Sequence, residues 1–222
     1  MPRPSRNLDR LLLIAGRELL ARRGCAGLSV REVAEAAGVN LGMFHYHFKT
    51  RDAFLRALLQ QTYEEMFTQL GVDIRSRGDL RNWRAVDSLR AALRFLGRFL
   101  RDNRPLIARV LADALCGEKI ALEFLRANMP RHLMVLQGLI AAGQEEGSLK
   151  RIALPQALGI CAGCVAMPIL AGGAIAEHAP RPMSRTLRGA LLDDAAIDER
   201  IDLALAALAA PATKASRRKL AA

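Results

Sequence analysis

The sequence predicts an all-α protein in which a small N-terminal helix-turn-helix precedes a larger helical body. Three observations carry that prediction. Ala and Leu dominate the 222 residues, aromatics make up only 5%, and β-branched runs are scarce, a composition that favours helix nearly throughout. Apolar residues recur at helical spacing from Leu8 onward, with no strand pattern. Two short capped segments flank Gly38-Val39, the arrangement of two helices about a tight turn.

The elements follow in order. Leu8, Leu11, Leu12, Ala15, Leu19 and Leu20 give an apolar face to a helix over 6–23, which Gly24 ends before a short connection, CAGL. Ser29 and Glu32 have capping-box spacing: the Ser29 hydroxyl can accept from the Glu32 amide while the Glu32 carboxylate reaches back. The helix so opened, VREVAEAA, stops at Gly38. Asn40 is the next N-cap, with Val39 and Phe44 placed as a hydrophobic staple, over a helix of only 41–47. Thr50 caps a long helix from Arg51 to about Leu70, carrying Phe54, Leu55, Leu58, Leu59, Tyr63 and Met66. Residues 71–81 read as a loop. Helices follow over 83–102, over 105–116 with Pro105 in the first turn, and over 118–127 and 130–146, the last two divided by Pro130. Pro155 opens an uncharged helix to 177, residues 179–189 read as a connector, and an amphipathic helix over 193–209 closes the fold. Three parts result: a DNA-binding segment 1–50, a helical body 51–210, and a basic, disordered tail 211–222 holding Lys214, Arg217, Arg218 and Lys219 without an acid.

The charge favours a polyanionic partner. Net charge is +11 with a pI near 10.5, and residues 1–51 alone carry nine Lys/Arg against four Asp/Glu. Four cysteines are too few for a disulfide framework, so thiols in a reducing cytoplasm are expected. The early run LLLIAG is too short for a signal peptide and Arg17-Glu18 interrupts it. Between Arg151 and Glu177 lie 25 uncharged residues, long enough to cross a membrane. Pro155, Gln156, Pro168 and four glycines lower their hydrophobicity, so a buried helix at a subunit interface is the better reading.

Enzyme chemistry finds little support, because no nucleophile, base and orienting group form a set. His45 and His47 point about 200° apart on a helix and cannot share one metal ion. Cys161-Ala-Gly-Cys164 has redox or zinc spacing but sits inside an uncharged helix without a second ligand pair, which marks small buried thiols. No cofactor or metal is expected. A redox-responsive regulator using Cys161 and Cys164, and a membrane-associated helical protein, stand as the alternatives.

The segment from Leu11 to about Leu58 resembles the TetR-type transcriptional regulators. The resemblance rests on Gly24, SVREVAEAAGV (29–39), Gly42, Phe44, His47-Phe48, Thr50-Arg51 and Phe54-Leu55. It implies a homodimer whose second helix of the motif enters the major groove of a pseudo-palindromic operator, acting as a repressor that a small molecule releases. Carried over by position, Ser29, Arg31 and Arg51 would meet phosphates. Asn40, Leu41, Gly42 and Met43 would face the groove, with His45 and Tyr46 beside them. His47, Phe48 and Phe44 would pack inward. His45 stands where the family has Tyr, Met43 where it has a small or hydroxyl residue, and Leu41 where it has a polar one. Contacts to thymine methyls follow from that apolar face.

In the body the resemblance implies a largely apolar effector cavity. Phe95, Phe99, Cys116, Phe124, Met129 and Met134 are its candidate lining, with Trp83 and His132 nearby; each also fits plain helix core. Gly159, Gly163, Ala166, Leu170 and Ala174 form a small-residue stripe, to which the last helix adds Ile201, Leu205 and Leu208. The resemblance implies that these last two helices make the dimer interface.

Overall fold

The computed structural model describes residues 6–76 and 84–211, and helix accounts for most of them. The helices are α1 (Arg6–Gly27), α2 (Val30–Ala36), α3 (Leu41–Phe48), α4 (Arg51–Ser76), α5 (Ala85–Asp102), α6 (Arg104–Leu115), α7 (Lys119–Glu145), α8 (Leu154–Cys161), α9 (Gly173–His178), α10 (Arg181–Leu192) and α11 (Asp194–Leu208). The expected all-α architecture is what the chain adopts; the one ladder contact among the described residues is an isolated antiparallel bridge between Leu149 and Ala209. Trp83 and the basic residues after Ala212 lie outside the described residues. The chain divides into two compact units, residues 1–69 with 103–130, and residues 70–102 with 131–222.

The first unit is held by Leu12 and Leu20 of α1, Val33 of α2, Phe44 of α3, Phe54, Leu55 and Leu58 of α4, and Leu106 and Val110 of α6, all buried in one cluster. Gly24 breaks α1 with a φ of 75°, a conformation that favours glycine. The missing side chain matters too, because a Cβ there would fall 2.3 Å from Nε of Arg109. Gly16 likewise lets α1 close on α4, since its Cβ would stand 2.3 Å from Cζ of Phe54.

Two sequence expectations fail here for physical reasons. Helix α4 runs on to Ser76, past the loop expected from 71. Helix α7 passes through Pro130 without a break, although proline removes a donor and crowds the preceding turn. Side chains brace the approach to the proline. The Tyr63 hydroxyl donates to the Asn128 carbonyl at 2.7 Å. The buried Asn128 amide donates to the Phe124 carbonyl at 3.0 Å and to Gln60 Oε1 at 3.1 Å.

The second unit packs Leu89 and Leu93 of α5, Leu136 and Ile140 of α7, Ala157 and Cys161 of α8, and Ile197, Ile201 and Leu208 of α11 around Val165 and Ile169. Between α8 and α9 the helix widens into π-helical stretches at Ala162–Ala166 and Pro168–Gly172, making one rod from Leu154 to His178. Pro168 supplies a cause, since it cannot donate to the preceding turn and the wider turn relieves its ring. That rod is long and apolar enough to cross a membrane, but only 28% of its most apolar stretch is buried, so it keeps an open side.

An arginine ladder clamps α5 to α11. Arg94 meets Asp198 at 3.0 Å and Arg98 meets Asp194 at 3.4 Å, while Arg90 pairs with Asp202 and Arg101 with Asp194. Hydrogen bonding from Arg101 holds the Asp194 carboxyl below the usual carboxylate range. The stretch expected as a connector, 179–189, is instead the exposed helix α10, opened by Pro182 in its first turn.

Candidate nucleic-acid interface

The recognition segment is built from caps inward. Ser29 caps α2, accepting from the Glu32 amide at 3.5 Å. The reciprocal half of the capping box is absent, because the Glu32 carboxylate pairs with Arg23 at 3.2 Å. Gly38 turns the chain at φ 66°, and the Val39 amide returns to the Ala34 carbonyl at 2.9 Å. Asn40 then caps α3, its Oδ1 accepting from the Met43 amide at 2.8 Å. The cap commits one lone pair of that oxygen and holds the side chain in place, leaving the Asn40 amide nitrogen uncommitted among the described residues.

An aromatic base anchors α3 to α4. The Phe44 and Phe54 rings lie 5.1 Å apart, Phe48 and Phe54 4.9 Å, with Phe44 and Phe54 fully buried. Val39 packs against the same cluster, as a staple requires. Within an eight-residue helix these rings supply the stability that helix propensity does not. The opposite side is open. Leu41 is 43% and Tyr46 63% exposed, and Gly42 and His45 are exposed with them, while Met43 is half-buried. The His45 ring lies 3.0 Å from the Lys49 carbonyl through Nδ1, which fixes the imidazole and leaves Nε2 outward. His47 packs beside Tyr46 and Phe48, at 5.3 and 6.2 Å between rings.

Arg31 is exposed on α2 and has no ion pair among the described residues. Arg51 is different. Its Nε donates to the Leu28 carbonyl at 2.9 Å, a terminal nitrogen donates to the Cys25 carbonyl, and the other meets Asp52 at 3.4 Å. The guanidinium expected on a phosphate is thus turned inward, where it ties α4 to the connection between α1 and α2. Lys49 was missed by sequence reasoning. It is exposed between α3 and α4, and it is the non-glycine residue with a positive φ, 58°, among those described. Its basic side chain at the join of the short recognition helix and the long helix after it was the available signal.

The same connection is gripped from α6. The buried Asp113 carboxylate accepts from the Cys25 amide at 2.6 Å and meets Arg109 Nε at 3.1 Å, while Arg109 donates to the Arg23 carbonyl at 3.2 Å. Burial first, then the neighbouring Glu118 and Asp113 charges, push the Cys25 thiol up to about 12. The segment that sets the angle of α2 is therefore held by α4 on one side and α6 on the other.

Residues 12–58 match the model of the bacterial regulatory proteins of the tetR family. That segment is a TetR-type DNA-binding module. Over 71 residues it is 28% identical to the HTH-type transcriptional regulator YuxN of Bacillus subtilis, covering 32% of this chain and 24% of that one. It is 25% identical over 154 residues to the HTH-type transcriptional repressor DhaR of a Mycobacterium, covering 66% and 72%. Among solved structures, a TetR-family chain of Mesorhizobium loti superposes with a TM-score of 0.61 at 15% identity, over 94% of this chain and 100% of that one. HlyIIR, a hemolysin II transcriptional regulator, gives 0.57 at 17% identity over 84% and 98%. At such identities the structures speak for the fold alone.

The other expected sites come out unevenly. Of the effector-pocket candidates, Phe95 and Phe99 stack on α5 at 6.4 Å, and Phe124 packs edge-on against Tyr63 at 6.1 Å. Met129 is half-buried, whereas Cys116 is exposed and Met134 is 60% exposed, so these two line no enclosed cavity. They also fall in different units, Cys116, Phe124 and Met129 in the first and Phe95, Phe99 and Met134 in the second. The shallow concavity lined by Ala141, Gln144, Glu145, Arg151 and Ile152 includes none of them.

The dimer stripe needs a correction. Ile201, Leu205 and Leu208 are buried in the subunit's own core, at 0, 3 and 2% exposure, because α11 turns its apolar face to α5 and α8. Gly159 and Gly163 are exposed, and a Cβ on either would meet nothing within 4 Å. Ala166, Leu170 and Ala174 are half-buried beside them, with Met167 and Ile175 53 and 66% exposed. Cys161 is buried, and burial pushes its thiol up to about 11, leaving a poor nucleophile at neutral pH.

Proposed function

We propose that this chain is a cytoplasmic, homodimeric repressor that binds a pseudo-palindromic operator and is released by a small, largely apolar effector. The observation that carries the DNA-binding half is the two-sided construction of α3. Phe44, Phe48 and Phe54 fix one side, while Leu41, Gly42, His45 and Tyr46 stand free on the other, with Arg31 and Lys49 placed to meet phosphates. The apolar Leu41 and the ring of Tyr46 suit thymine methyls, and His45 Nε2 with the Asn40 amide supplies hydrogen-bonded readout. Ser29 and Met43 sit behind that front. Repression is supported by the relative DhaR, whose name records it.

Dimerisation is supported by the uncharged open face of the Leu154–His178 rod around Gly159 and Gly163. On this reading, residues 1–50 read DNA and 51–210 dimerise and hold the effector. Release needs a route from the body to α3, and α6 supplies one. The chain enters α6 from α5, and Arg109 and Asp113 of α6 grip the connection that orients α2. An effector that prefers a displaced α6 shifts the population of DNA-competent dimers by its differential affinity.

The test is footprinting on DNA flanking the chain's own gene with the purified protein. The expected result is two protected half-sites about 34–36 Å apart. Absence of any sequence-specific protection at that DNA, with the protein dimeric and folded, refutes the reading.

A further inference from the structure

Helix α10 carries Arg181, Arg185 and Arg188, spaced so that all three fall on one stripe of the helix. All three are exposed, and none has an ion pair or hydrogen bond among the described residues. No Asp or Glu occurs from His178 to Leu192. The helix buries none of its residues. This contrasts with the arginines of α5 in the same protein. Arg94, Arg98 and Arg101 have the same spacing and meet Asp194 and Asp198 of α11, four residues apart, while Arg90, one turn earlier, pairs with Asp202. Among the described residues, then, the arginines of α5 have their carboxylate ladder and those of α10 do not.

We infer that α10 is a docking surface for an acidic helix of a partner protein, carrying carboxylates at i, i+4 and i+8. The internal ladder shows arginines so spaced meeting carboxylates four residues apart on a facing helix, with Arg98 and Arg101 sharing Asp194. Lying in a membrane surface fits the geometry less well, because Leu191, to one side of the arginine stripe on α10, is turned inward: its Cδ1 stands 2.9 Å from where a Cβ on Gly172 would be. The inference does not rest on the operator reading, since none of its observations involves α2 or α3.

The experiment titrates the full-length protein into a fluorescein-labelled Ala/Gln helical peptide with Asp at i, i+4 and i+8, at low salt, and follows anisotropy. Saturable binding is expected, lost with the Asn version of the peptide and weakened at least about tenfold, the effect of removing about 1.4 kcal/mol, by the combined R181Q, R185Q and R188Q substitutions. Reversal by R181E, R185E and R188E should transfer binding to the matching Lys peptide, which a misfolded variant could not do. Equal binding of the Asp peptide by the native chain and the Gln variant, or no binding by the native chain, overturns the inference. So does a Gln variant that loses noncognate duplex DNA or phosphatidylglycerol vesicles while keeping the peptide.

Discussion

Replacing Asp113 with Ala tests whether the connection between α1 and α2 is held from α6. In the native protein the Asp113 carboxylate, 7% exposed, accepts from the Cys25 amide at 2.6 Å and pairs with Arg109 at 3.1 Å. Alanine removes both. The Cys25 amide lies in a fully buried residue and would lose its partner, a cost of about 1–3 kcal/mol. The ion pair adds less than a buried pair would, because the Arg109 side chain is 40% exposed and water can replace its partner. The sum is about 2–3 kcal/mol for Asp113→Ala. Asp113→Asn keeps an acceptor for the amide and loses the charge, so about 1 kcal/mol is expected. Urea unfolding followed by circular dichroism at fixed protein concentration measures both, and operator titration measures the consequence for DNA. The Ala variant should also bind operator more weakly under conditions where it is fully folded. Equal stability of the two variants, or full operator affinity in the folded Ala variant, refutes the clamp.

Three further outcomes follow. Asn40→Ala should lower stability by about 1 kcal/mol through the lost cap, whereas Asn40→Ser should retain stability and alter base preference; an unchanged preference in the Ser variant removes Asn40 from readout. A Cβ at Gly159 or Gly163 meets nothing within 4 Å and both positions are exposed, so Gly159→Glu and Gly163→Glu should each leave helicity intact and shift sedimentation from dimer to monomer with loss of operator binding; an undiminished dimer moves the interface elsewhere. Cys116 should react with a thiol reagent in the native state while Cys25 and Cys161 stay silent. Both buried thiols are raised above their ordinary value of 9.0, so the neutral form belongs to the fold. Their stabilisation is complete below pH 9 and falls away as pH climbs toward about 11 to 12, a loss that Cys25→Ala should reduce in alkaline melts.

The recognition segment was legible because its signals are local. A cap residue, a glycine that tolerates positive φ and an i-to-i+4 staple act within one turn of chain, so Ser29, Gly38, Asn40, Val39 and Phe44 could be placed without any partner. Arg51 was misassigned because its carbonyl partners lie 23 and 26 residues away, and no local pattern records them. Pro130 misled in the opposite direction: its local rule is sound, but Tyr63 and Gln60 of α4, bonding to Asn128 two residues before it, brace the helix from outside.

The sequence by itself determined an all-helical chain, its reading helix, and the spacing of its caps, because those depend on backbone chemistry within a few residues. Only the tertiary structure decided which face each helix turned inward. The periodicity of α11 announces an apolar stripe equally well for a dimer and for a core. Ile201, Leu205 and Leu208 went inside because the subunit itself offers Leu89 and Val165 to bury them against, and the aspartates of the same helix then meet the arginines of α5. Burial and charge pairing act across the chain, and a helix satisfies them by rotation, which sequence spacing alone leaves free.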